Sequence, residues 1–201
     1  MTDIPANDEA TASTPVAGGA SRWWKRFTPN HTDSDPRTLG KWTTAFLAVY
    51  GLIATGLGMY WSQTPDPFDV RQNAAQYAAL TEQDVVTGTV TVSALQETIR
   101  TLLEKPGGYV HNDVFPPGVW LDNMPNWEYG VLVQSRDLAR ALREVLSRSQ
   151  SQSKEDVDLT LAEPRINFQS DSWILPASES EYRDAGRFLE RYRSRLALTG
   201  E

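Results

Sequence analysis

The chain has 201 residues and no cysteine. That excludes thiol catalysis, disulfides and thiolate metal sites, and it fits an oxidising compartment. Histidine is nearly absent: only His31 and His111 occur. No H-E-x-x-H pair is present, so no metal site is expected. There is no G-x-x-x-x-G-K-[ST] loop, no dinucleotide fingerprint and no G-x-S-x-G elbow, so no cofactor is expected either. Convincing strands are few, and no internal repeat is visible.

Basic charge is in short supply in one part of the chain only. The formal net charge is −7, but residues 1–61 carry five basic and five acidic residues. Residues 62–201 carry fourteen basic and twenty-one acidic residues and hold the whole excess. A domain this acidic repels a phosphate backbone, so nucleic acid is not an expected partner.

What the sequence does contain is one long apolar run. Residues 42–61, WTTAFLAVYGLIATGLGMYW, pass twenty positions without a charge or a proline. At 1.5 Å per residue they reach about 30 Å, the thickness of a hydrocarbon core. Lys41 and Trp42 stand at one end, Tyr60 and Trp61 at the other, where amphipathic rings prefer the headgroup level. A buried core helix rarely runs this far without a polar face. The bilayer is thus the first expected partner.

Flanking charge sets the orientation. Arg22, Lys25, Arg26, Arg37 and Lys41 precede the run, while the eighteen residues after it hold only Arg71, with Asp66 and Asp69 nearby. The positive side stays in the cytoplasm, so the N-terminus is expected inside a bacterial inner membrane and residues 62–201 in the periplasm. Met59-Tyr60-Trp61 is no small-x-small cleavage site, so the run reads as an uncleaved signal anchor. Within it, Gly51 with Thr55 and Ala54 with Gly58 put small residues at four-residue spacing. That pattern admits close helix approach and a homo-oligomer.

The remainder divides readily. Residues 1–41 read as a disordered cytoplasmic tail, low in large apolar residues until the basic-aromatic string Arg22-Trp23-Trp24-Lys25-Arg26-Phe27 at the inner leaflet. Residues 62–90 are a proline-bearing linker with an alanine-rich helix over 70–80. Residues 91–201 form a helical domain. Ser93-x-x-Gln96 predicts a helix start, with Val92, Leu95, Ile99, Leu102 and Leu103 on its apolar stripe. Asn126 is a fair N-cap for a second helix, whose buried face is Val131, Leu138, Leu142 and Val145. Arg136, Arg140, Arg143 and Arg148 lie off that face and read as solvated. Residues 147–156 are a polar linker. A short helix from Asp156 is expected to end at Pro164. Ser178 with Glu181 in capping-box position starts the last helix, with Tyr182, Ala185, Leu189, Tyr192 and Leu196 facing inward. The fold class is mainly α: one N-terminal transmembrane helix, then a small helical domain with long ordered loops.

Four consecutive strings, LLEKPGGY (102–109), NDVFPPGVWLDNMPNWEYGVLVQSRDLARALR (112–143), SRSQSQSKED (147–156) and SDSWILPASESEYR (170–183), resemble a proteobacterial inner-membrane family known only as a domain of unknown function. The resemblance runs over most of residues 40–195. It implies a single span and a periplasmic, mostly helical domain, and it supplies no catalytic residue. It also implies further helices beyond 178–198, so a domain cut short at Glu201 is expected.

Residues 107–130 hold the densest chemistry. Asp113, Asp122 and Glu128 could act as general acid and base on a glycan, assisted by His111, with Tyr109, Trp120, Trp127 and Tyr129 stacking on sugar rings. Against this, Pro116-Pro117-Gly118 and Met124-Pro125-Asn126 are turn chemistry, and Val114, Phe115, Val119 and Leu121 are apolar filling. A structural connector accounts for the stretch better than a catalytic loop. The favoured function is accordingly non-enzymatic: a membrane-anchored scaffold or accessory subunit in envelope maintenance. Its contact surface for an envelope protein is Tyr109, Trp120 and Trp127 together with Arg136, Arg140 and Arg143. A cell-wall glycan hydrolase or glycan-binding module is the alternative.

Overall fold

A computed structural model describes residues 36–146 and 155–199. The tail before residue 36, Arg148 and most of the 147–156 linker lie outside the described residues, as does the side chain of Val145. Among the described residues there are six α-helices and no strand, so the chain is mainly α.

Helix α1 is Pro36–Trp61. It ends where the apolar run ends but begins six residues before it, so 36–41 belong to the helix and not to a disordered tail. Proline suits the first helical position, where its missing N–H has no intrahelical partner to lose. Helix α2, Val70–Leu80, starts on Asp69, whose carboxylate accepts the Gln72 N–H at 2.7 Å.

Helix α3, Thr89–Glu104, begins a turn earlier than the Ser93 signal suggests. Gly88 occupies the N-cap with φ +91°, a conformation glycine adopts freely. Ser93 lies inside the helix and is buried, because the apolar stripe runs back through Val92 to Thr89. Helix α4, Asn123–Ala141, likewise starts three residues before Asn126 and continues through a π-helical turn, Leu142–Leu146. Asp122 takes the N-cap position and Pro125 sits in the first turn, where no N–H is needed.

Helix α5, Val157–Ile166, runs past Pro164. The reason is tertiary: Ile166 is fully buried, and Arg136 of α4 donates to the carbonyls of Ile166 at 3.0 Å and Phe168 at 2.7 Å. Helix α6 is Ser178–Thr199. Ser178 is buried, and its hydroxyl donates to Gln169 and Ser172 carbonyls, tying back the preceding loop in place of capping the helix.

Helices α3, α4, α5 and α6 contact one another in a closed ring, and α2 leans on α3. Leu95, Ile99, Leu102, Leu132, Leu142, Leu159, Ile166, Tyr182 and Leu189 fill the ring. Each such side chain contributes about 2–3 kcal/mol by leaving water. On α6 the inward residues Tyr182, Ala185, Leu189 and Tyr192 are buried, and Leu196 packs against them. Arg195 of α6 pairs with Asp156 and Asp158 at the start of α5. Tyr77 fixes α2: its hydroxyl donates to Glu97 at 3.1 Å, and the Arg193 guanidinium lies 4.3 Å from its ring centre.

Candidate functional site

Residues 105–122 connect α3 to α4 and include a 3-10 turn, Gly118–Trp120. At the base of this connector is a buried ion pair. Lys105 Nζ lies 2.5 Å from Glu128 Oε1, and both side chains are 0% exposed. Glu128 also accepts the Val110 N–H at 2.9 Å and the His111 N–H at 2.7 Å. Lys105 donates in addition to the Gly108 carbonyl. Burial pushes the Glu128 carboxyl up, and Lys105 with the two N–H groups opposes that. The arrangement pins the start of the connector to α4 and leaves Glu128 no face open to a substrate.

The neighbouring side chains are committed in the same way. Tyr109 is buried, donates to the Ser170 carbonyl at 2.9 Å and meets Tyr182 edge to face at 5.5 Å. Burial pushes its hydroxyl pKa well up. His111 Nδ1 lies 3.1 Å from the Pro125 carbonyl, and its ring stacks on Tyr129 at 5.6 Å. Asn112 donates to the Ser172 carbonyl at 2.8 Å and to Glu179 at 2.9 Å.

The three candidate carboxylates sit in different surroundings. Glu128 faces Lys105. Asp113 is half-buried against Gly118, where an added Cβ would overlap its side chain. Burial first, and then the Glu179 charge, push the Asp113 carboxyl up. Asp122 is exposed at the head of α4 and makes no capping bond.

The candidate binding residues are equally dispersed. Trp127 is partly buried against the core and lines a cleft of about 320 Å³ with Pro65, Phe68 and Thr101. Arg136 holds the end of α5, and Arg143 pairs with Glu163 at 2.6 Å, so neither is a solvated cation. Arg140 is exposed. Trp120 is 60% exposed and borders a cleft with Ala54, Thr55 and Met59 of α1.

That last cleft concerns the small-residue face of α1. Ala54 and Gly58 are buried, and a Cβ at Gly58 would meet Pro117 at 3.6 Å and Leu121 at 3.8 Å. Gly51 and Thr55 are more open. Of the anchor residues, Lys41, Trp42 and Tyr60 are exposed, whereas Trp61 is half-buried against Gly107. Gly107 has φ +87°, and a Cβ there would fall 2.6 Å from the Trp61 ring.

Sequence reasoning passed over Lys105 and the exposed apolar residues Trp173, Ile174 and Leu175. Lys105 had a signal: it lies three residues after Leu102, at the C-cap of α3 in line with its apolar stripe. Among the described residues no group of histidines and carboxylates is arranged to hold a metal. Helix α1 is long and apolar enough to cross a membrane, and only 6% of its most apolar window is buried. No curated protein and no solved structure matches the chain. The family model described as an uncharacterized protein conserved in bacteria (DUF2333) matches residues 37–201. With most of its length matched, the chain belongs to that family of uncharacterized bacterial proteins.

Proposed function

We propose that this protein is a single-pass inner-membrane protein. Helix α1 crosses the bilayer, and residues 62–201 stand on the periplasmic side as a scaffold or accessory subunit in envelope maintenance. The observation that carries this reading is the bareness of α1. A core helix of this length would be covered, whereas 94% of its most apolar window is left uncovered by the chain itself. Arg37 and Lys41 at its start, against only Arg71 soon after it, support an N-terminus inside.

The non-catalytic part of the reading is supported by how charge is used. Glu128, Arg136 and Arg143 are engaged within the chain. Arg140 remains open for an envelope protein, and Gly51 and Thr55 for a second copy. The glycan-directed alternative has one observation in its favour. Asp113, pushed up by burial and by Glu179, lies two residues from exposed Phe115, whose ring meets Trp173.

A crosslinking pull-down from intact membranes, tagged after Glu201, tests the proposal. One stoichiometric envelope protein is the expected result. Recovery of glycan fragments alone would overturn it in favour of the alternative, for which Asp113→Asn should abolish turnover. Two reporters fused after Glu201 test the topology, one active only after export and one active only in the cytoplasm; activity of the second without the first would invert it.

A further inference from the structure

The chain leaves an apolar surface open beside the C-terminal end of α1. Neither Val114–Leu121 nor Trp173–Ala177 contains a charged residue. Phe115, Val119, Trp120, Trp173 and Ile174 are all more than half exposed, and Leu175 is 95% exposed. The two segments form one patch. The Phe115 and Trp173 rings meet edge to face at 6.3 Å, and Asn112 bonds the carbonyl of Ser172. A contiguous apolar surface of this kind marks a contact site, because water solvates it poorly.

Its position relative to α1 selects the occupant. Pro117 and Leu121 lie against Gly58, and Trp120 borders the cleft that reaches Ala54. Gly58 and Ala54 precede Trp61 by three and seven residues. At 1.5 Å per residue they stand about 5 and 10 Å further along the helix. With Trp61 at the headgroup level, that is about the 5–10 Å depth at which interfacial elements bury their apolar face.

We propose that residues 114–121 and 173–175 dip into the leaflet from which α1 emerges, giving the domain a second, interfacial contact with lipid. The proposal rests on the membrane-spanning reading of α1. The charged residues flanking the two segments in sequence are Asp113, Asp122, Asp171 and Glu179, all acidic. The contact is therefore apolar insertion and not attraction to anionic headgroups, and zwitterionic lipid is the matching surface. A protein partner seated here would have to share the same leaflet with α1.

The test uses the full chain in phosphatidylcholine vesicles carrying spin-labelled lipid. Because the chain has no cysteine, a fluorophore can be placed through single substitutions at Val119→Cys and Leu175→Cys. Met59→Cys, exposed on α1 two residues before Trp61, is the reference at the headgroup level of the same leaflet. Leu198→Cys, twenty residues beyond Ser178 and so about 30 Å along α6, is the aqueous reference. The expected result is loss of fluorescence at 119 and 175, greater with a shallow spin label than a deep one, and none at 198. Quenching at 59 with none at 119 and 175 would overturn the insertion while leaving the anchor intact. No quenching at 59, 119 or 175 would overturn the anchor and the insertion together.

Discussion

Replacing Lys105 with methionine keeps the side-chain volume and removes the ammonium that faces Glu128. The carboxylate is then left in a fully buried site with only the Val110 and His111 N–H groups. Removing one partner of a buried pair costs about 3–5 kcal/mol. The two remaining charge-assisted bonds place Lys105→Met near the lower end, about 3 kcal/mol. For a chain of this size that lowers the thermal midpoint by roughly 6–12 °C. Denaturation of the detergent-solubilised full chain, followed by tryptophan fluorescence, measures it. The pH dependence has a fixed sign. Burial already raises Glu128 above its ordinary 4.5, and loss of Lys105 raises it further. A raised carboxyl holds its proton more tightly folded than unfolded, so its contribution is complete below the unfolded value and is lost as pH rises through the folded one. The deficit of Lys105→Met is thus greatest at neutral pH and shrinks towards pH 4.5. Adding Glu128→Gln should recover about 1–3 kcal/mol at pH 7, since the amide oxygen still accepts both N–H groups. A Lys105→Met chain within about 1 kcal/mol of the parent at every pH would refute the reasoning.

Gly107→Ala forces an L side chain into φ +87° against the Trp61 ring, so it should cost about 1–3 kcal/mol and shift the tryptophan emission. Asp113→Asn removes a carboxyl whose folded pKa is raised. It should stabilise the chain at neutral pH, and the gain should vanish as pH falls towards 3.8, as read from the midpoint. Arg136→Met removes the guanidinium donor from the Ile166 carbonyl and leaves the Phe168 carbonyl with only the Tyr182 hydroxyl, and it should lower stability by about 1–3 kcal/mol. Arg140→Ala, on an exposed position of the same helix, should stay within about 0.5 kcal/mol.

Periodicity made most of the helices legible. The alanine-rich stretch 70–80 is α2, and the stripe from Tyr182 to Leu196 faces inward as its spacing requires. Helix starts were harder. Ser93 and Ser178 have the residue type of a cap, but burial claimed both: one hydroxyl lies inside α3, and the other holds a loop carbonyl. A local capping preference of about 1 kcal/mol yields to core packing of several times that size. Pro164 failed as a stop for the same reason, because Ile166 is needed in the core. The chemistry of the connector was misleading in another way. Glu128 stands four residues before Leu132 and seven before Ser135, on the face of α4 that is buried. A charge on an apolar face asks for a buried counter-charge, and Lys105 stands in the matching place at the C-cap of α3. Pairing the two required knowing how the helices cross, which periodicity does not encode.

The Trp61–Gly107 contact bears on mechanics. Residues 62–69 look like a flexible hinge between α1 and the domain after it. The ring of Trp61, however, sits on Gly107, two residues from Lys105 and next to Gly108. A helix spanning a bilayer thinner than its apolar length accommodates the mismatch by tilting, kinking or thickening the bilayer around it, and tilting is the response that reaches the domain. Here the tilt cannot be absorbed in the linker alone, because the end of the helix is seated on the same loop that the Lys105–Glu128 pair holds. With α1 spanning the bilayer as proposed, membrane thickness and domain attitude would become one variable, and the segment that reads as a swivel would work as a lever.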